Sequence, residues 1–230
     1  MKQLLFILFF PSFLFAQTDS TDIIVQNIMK QQKIVGLSLA VIKKGEVTVN
    51  KGYGLANVEF NVAASNETVF RLGSVSKQFF TTAIMKLQEE GLLSINDSVH
   101  KFFPDAPETW RPILVKNLMS HTSGLQRESP AYDNFKMTSD LDIIKAGYPL
   151  ALDFNTGEKY QYCNLAYYML AQIITQVSGQ HWSKYIEEKL FAPAGMNNSR
   201  MTDFYPIIPN RASGYMHKGD TLLNATAMFA

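Results

Sequence analysis

Residues 74–90 constrain the fold more than any other segment. Val75, Phe79, Phe80, Ala83, Ile84 and Leu87 recur at the three-to-four spacing of one helix face, and Gly91 follows as a stop. A helix with one apolar stripe needs other elements to bury it, so the chain must build a core around this segment. The composition allows that, because 47% of the residues are hydrophobic, a globular proportion and not a disordered one. Cys163 is the single cysteine, which rules out an internal disulfide and a cysteine-rich zinc site. Stability must therefore come from packing.

The flanking pattern predicts strands before this helix and further helices after it. Residues 22–33 carry Ile23, Ile24, Ile28 and Met29 at helical spacing. Residues 35–42 form a β-rich run, Lys44-Gly45 supplies a turn and Val47-Thr48-Val49 resumes the run, which signals a hairpin. Residues 55–73 are mixed and turn-rich. Shorter helices are expected near 114–120, 139–146, 164–178 and 182–191, separated by Pro, Gly and Asn. The expected class is α/β in the α+β sense, with a strand pair followed by a helical lobe. No repeat or linker divides the chain, so one domain, with room for two lobes, is the default.

The first residues read as an address and not as structure. Met1-Lys2, an apolar run over 4–15 and Ala16 have the order of a secretory signal peptide. The run is shorter than the roughly 20 residues that a bilayer core requires, and Pro11 interrupts it. A signal over 1–16 and a mature domain over 17–230 are expected, without stable membrane insertion and, in a diderm cell, in the periplasm. The formal net charge of +1, with basic residues spread along the chain, offers no face for nucleic acid. At the other end, residues 225–230 run apolar without a cap or turn, so the chain is expected to break off inside an element.

The chemistry is legible at the head of the 74–90 helix. Ser74-Val75-Ser76-Lys77 is a Ser-x-x-Lys pattern, and residues three apart on a helix lie about 5–6 Å apart at Cβ. The Lys77 amine can thus reach the Ser74 hydroxyl and favour its deprotonated form. A serine at a helix start also sets its own backbone N–H where a carbonyl oxygen would gain charge. A second copy, Ser98-Val99-His100-Lys101, serves as a control: Asn96-Asp97 before it and Phe102-Phe103-Pro104 after it leave no long helix, and a solvated turn is expected.

Tyr162-Cys163-Asn164 is the second signal. A phenol beside a lysine amine is pulled below its ordinary pKa and can serve as general base, and the Asn164 amide can donate to a substrate carbonyl or to the lysine's surroundings. Tyr132-Asp133-Asn134 repeats the triplet in a polar stretch and reads as a surface loop. Tyr160 is the rival of Tyr162, but only Tyr162 completes Tyr-x-Asn. His121 lacks a Gly-x-Ser-x-Gly elbow to form a histidine relay with, and is expected to hydrogen-bond to backbone. The four histidines are scattered, so no metal or other cofactor is expected. Cys163, Trp110 and Trp182 are assigned to packing.

Three segments carry a family resemblance. Residues 70–79, Phe-Arg-Leu-Gly-Ser-Val-Ser-Lys-Gln-Phe, resemble the nucleophile segment of the class C β-lactamase and penicillin-binding serine hydrolases. Leu118-Met119-Ser120-His121-Thr122-Ser123-Gly124-Leu125 is similar to that family's segment after the nucleophile helix, and residues 157–179 to its Tyr-x-Asn region. The resemblance implies a β-lactamase/transpeptidase-like fold, an antiparallel sheet flanked by helices with a helical lobe inserted into it. It implies acylation of Ser74 by a β-lactam, D-Ala-D-Ala peptide or ester, with Lys77 and Tyr162 sharing the proton work and Asn164 binding substrate. It also implies a third motif, Lys-Thr-Gly or His-x-Gly on a later strand, expected past Ala230. The partner is then a small-molecule or peptidoglycan-derived substrate; a non-catalytic relative that binds peptidoglycan, or an inactive fragment, is the alternative.

Overall fold

The computed structural model describes residues 20–133, 138–201 and 206–225. The expected leader over 1–16 and the apolar end over 226–230 lie outside them. The described chain divides into two compact units, one of residues up to Thr68 together with Arg211–Ser213, the other of Val69–Asn210 with the residues from Gly214 onward.

In the first unit, helix α1 (Ser20–Gln32) precedes an antiparallel sheet of β1 (Gly36–Lys43), β2 (Glu46–Asn57) and β3 (Val62–Ala63), in that order. Lys44 and Gly45 both take positive φ, 53° and 85°, the turn geometry whose twist matches two antiparallel strands. The hairpin signal was therefore sound, while β2 runs well beyond its predicted extent into the turn-rich stretch. Gly54 explains part of this: its φ is 70°, and a Cβ there would sit 2.2 Å from the Val35 carbonyl oxygen. Only glycine lets the strand pass so close. Asp22 ties α1 to β2, accepting from Lys51 Nζ at 2.9 Å and from the Tyr53 hydroxyl at 2.8 Å.

The second unit is the helical lobe. It holds α2 (Lys77–Glu89), α3 (Val115–Met119), α4 (Asp140–Ala146), α5 (Leu165–Ser178) and α6 (Trp182–Ile186), the last running into a π-helical turn over Glu187–Phe191. Helix α5 is the hub, packed against α2, α3, α4 and α6. Its sequence explains why: Leu165, Met169, Leu170, Ile173 and Ile174 are all essentially inaccessible to solvent. It ends at Gly179, whose left-handed φ of 73° suits a C-terminal cap. From α2, Ala83, Ile84 and Leu87 face the same core. Trp110 fills it from a short 3-10 turn, Glu108–Trp110, completely buried, as the packing assignment expected.

The hairpin β4 (Tyr215–Lys218) and β5 (Thr221–Asn224) was not anticipated. Its signal was present in Gly219-Asp220, a two-residue turn of the kind that joins paired strands. Among the described residues, no helix is long and apolar enough to cross a membrane.

Candidate active site

Ser74 does not open the α-helix directly. It lies in a 3-10 turn, Gly73–Ser76, that precedes α2. Gly73 has φ 52°, which takes the chain off the helical path just before the serine, and the Val75 amide bonds back to Leu72 at 3.2 Å. This corrects the expected single helix, and the change favours the pairing. Side chains three apart eclipse in a 3-10 turn, so Ser74 and Lys77 stack along the axis. Lys77 Nζ donates to Ser74 Oγ at 3.2 Å.

Tyr162 meets this pair in space. Lys77 Nζ lies 4.9 Å from the centre of the Tyr162 ring and 5.2 Å from that of Tyr167, so the amine sits against two aromatic faces. Arg127 brings a second cation 5.1 Å from the Tyr162 ring. The Tyr162 hydroxyl is out of contact with solvent and completes no hydrogen bond of good geometry. Burial would raise its pKa, but the nearness of Lys77 and Ser74 as hydrogen-bonding groups and the charges of Lys77 and Arg127 outweigh it. The phenol is held below its ordinary value. A buried polar atom without a partner is uncommon, and here it faces a serine and a lysine.

Asn164 is placed differently. It stands at the N-terminal end of α5, its backbone N–H donating to the Arg127 carbonyl at 2.8 Å. Its side-chain amide donates to Glu128 Oε1. The structure thus brings Ser74, Lys77 and Tyr162 together, and gives the Asn164 amide a carboxylate partner. Arg127 and Glu128 were not singled out from the sequence, and nothing in their spacing marks them.

The controls behave as turn and core residues. Ser98 caps a short 3-10 turn, its hydroxyl donating to the Arg111 carbonyl at 2.8 Å, while Lys101 pairs with Asp97 at 2.7 Å. The decoy triplet at Tyr132 ends on Asn134, outside the described residues. Tyr160 is 69% exposed, whereas the Tyr162 hydroxyl is shielded from solvent. The Cys163 thiol is buried, and that desolvation pushes its pKa up to about 11, against a nucleophilic role. His121 Nδ1 accepts from the Cys163 backbone N–H at 3.1 Å, the structural role expected of it. Among the described residues, no three or more His, Cys, Asp and Glu side chains gather as metal ligands.

A literal His-x-Gly triplet, His217-Lys218-Gly219, occurs within the described residues. It occupies the end of β4 and the turn into β5, with Gly219 at φ 61°. That placement explains the glycine by the hairpin turn alone.

The fold and this cluster define a β-lactamase-fold protein with a serine-lysine-tyrosine centre. Residues 22–230 match the profile of the Beta-lactamase family, and the chain belongs to that family. It is 32% identical over 195 residues to the putative penicillin-binding protein PbpX of Bacillus subtilis (strain 168), an alignment covering 85% of this chain and 48% of that protein. Among solved structures it resembles the octameric penicillin-binding protein homologue from Pyrococcus abyssi, with a TM-score of 0.73 and 30% identity over 88% of this chain and 49% of that one. It also resembles the D-amino acid amidase from Ochrobactrum anthropi SV3 complexed with L-phenylalanine amide, with a TM-score of 0.77 and 25% identity over 88% of this chain and 60% of that one. The chain spans half or less of the length of the curated relatives it matches, between 41% and 48%.

Proposed function

We propose that this protein is a serine hydrolase that forms an acyl-enzyme on Ser74 with a β-lactam, a D-Ala-D-Ala peptide or an ester. The observation that carries the reading is the Ser74 hydroxyl, 3.2 Å from Lys77 Nζ, with the unpartnered Tyr162 phenol beside that amine. Names of similar proteins support the substrate range, since they include penicillin-binding proteins and a D-amino acid amidase. A secreted, periplasmic location and a peptidoglycan-derived or small-molecule substrate belong to the same proposal.

In this mechanism Ser74 Oγ attacks the carbonyl carbon as its proton passes to the Tyr162 and Lys77 pair. The carbonyl oxygen gains negative charge next to the Ser74 backbone N–H, one of the unspent donors of a helix start. Collapse breaks the bond to the leaving nitrogen or oxygen, which takes up the transferred proton. Water then attacks the acyl ester carbon and gives up a proton to the same pair, which passes it to Ser74 Oγ as the bond from that oxygen to the acyl carbon breaks and the acid leaves. A phenol held below its ordinary pKa suits this exchange, because its two protonation states are brought closer to the working pH.

A fluorescent penicillin tests the reading. Covalent labelling that disappears in Ser74→Ala is expected. Reversible binding without covalent labelling would instead support a non-catalytic binder. Rates with lactam, D-amino acid peptide and ester substrates then separate the three classes.

A further inference from the structure

Three contacts on one residue straddle Tyr162. The His121 carbonyl accepts from the Gln161 N–H at 2.9 Å, on the near side of the tyrosine. His121 Nδ1 accepts from the Cys163 N–H at 3.1 Å, on the far side. Between them the imidazole lies against the Tyr162 ring, with centroids 4.5 Å apart and planes 31° apart. The backbone on both flanks of the phenol and the phenol ring itself are thus held by one side chain and its carbonyl.

The holder is in turn held. The Tyr167 ring packs 5.1 Å from the imidazole and the Tyr160 ring 5.7 Å from it. Tyr167 is anchored through its hydroxyl, which donates to the Met119 carbonyl at 3.0 Å at the end of α3. His121 is buried, and its φ of 58° is left-handed, which places the ring and the carbonyl toward the same segment. A non-glycine residue in that region costs free energy that the surrounding contacts must offset.

We propose that His121 is the positioning residue for acyl transfer: its neutral imidazole fixes the Tyr162 phenol against Lys77 and Ser74, and protonation of the imidazole releases it. The proposal rests on the serine hydrolase reading above. Only a neutral ring with its proton on Nε2 can accept from the Cys163 N–H; a protonated ring sets two donors face to face. The described titratable groups that bear on the ring are the Lys77 amine and the phenols of Tyr160, Tyr162 and Tyr167. Burial first, and then the charge of Lys77, hold the imidazole below its ordinary value of 6.5.

Two variants and one titration test this. His121→Asn keeps an acceptor for the Cys163 N–H, tolerates the left-handed backbone and cannot titrate, whereas His121→Phe keeps the stack and loses the acceptor. Acylation by a fluorescent penicillin is followed against pH, and the wild-type imidazole is titrated by NMR on the same pH axis. The wild type should lose rate in an extra step below pH 6.5, coincident with the imidazole titration, and that step should vanish in both variants. The maximal acylation rate should fall about 10²-fold in His121→Phe, the order expected of a misplaced catalytic group, with half-saturation little changed and partial rescue in His121→Asn.

An acid step that survives in both variants overturns the proposal, as does imidazole titration in the wild type with no accompanying change in rate. That wild-type comparison decides even if neither variant folds. A weaker half-saturation at unchanged maximal rate would put His121 on the substrate and also overturn it. A wild type that takes no penicillin label and turns over neither a D-amino acid peptide nor an ester at any pH refutes the hydrolase reading itself, and the proposal falls with it.

Discussion

Replacing Tyr162 by phenylalanine should move stability and activity in opposite directions. The substitution removes one oxygen, keeps the ring between Lys77 and His121, and deletes a buried hydroxyl that has no hydrogen-bond partner. Leaving such a group desolvated costs about 1–3 kcal/mol. Tyr162 as a whole is only half-buried, so the low end applies, and a gain of about 1 kcal/mol is expected. In a domain of this size that raises Tm by about 2–4 °C. Loss of the proton carrier should meanwhile slow acylation by about 10²–10⁴-fold. Thermal unfolding and stopped-flow labelling with a fluorescent penicillin measure the two effects on one preparation. A variant destabilised by more than about 1 kcal/mol would mean that the hydroxyl has a structural partner, and an acylation rate within about threefold of wild type would remove Tyr162 from the proton path.

Other perturbations test neighbouring parts of the structure. Ser98→Ala, at the decoy Ser-x-x-Lys, should leave labelling intact and cost about 1 kcal/mol in chemical denaturation through the lost cap, since the hydroxyl accepts from the His100 N–H. Leu170→Ala, in the fully buried face of α5, should cost about 2–5 kcal/mol, read as a lower urea midpoint. Gly124→Ala should cost at least about 2 kcal/mol, because φ is 83° and the added Cβ would lie 2.2 Å from the Phe154 carbonyl oxygen; unchanged melting would refute the close approach. The pH dependence of folding has a defined sign at His121. Its folded pKa lies below 6.5, so between that pKa and 6.5 the unfolded chain binds more protons and stability falls as pH falls. His121→Asn should flatten that part of the stability curve.

Much of the architecture is a matter of short-range pattern. The apolar stripe of α2, the continuous apolar run of α5 and the Lys44-Gly45 turn each state their element within a few residues, because helix and strand periods are local properties of the backbone. The pairing of Ser74 with Lys77 is local too: three residues of helix or 3-10 turn hold both side chains on one face whatever the rest of the chain does. The switch from α-helix to 3-10 turn at Ser74 was less visible, since it depends on the backbone angle at Gly73 and not on hydrophobic period. Hairpin β4–β5 was overlooked although Gly219-Asp220 marks its turn, because the strands on either side are short and largely exposed.

Tertiary structure decided the rest. Spacing favours Tyr162 because it completes Tyr-x-Asn, but what its phenol touches is set only by the packed chain, which brings the ring to Lys77. The same holds for Arg127 beside the phenol, Glu128 on the Asn164 amide and His121 beneath the Tyr162 ring. Sequence alone determined the pairing of the Ser74 hydroxyl with the Lys77 amine, since one helical turn fixes their distance. Folding determined the pKa and placement of the phenol, since charge and desolvation act through space and depend on residues far apart in the chain.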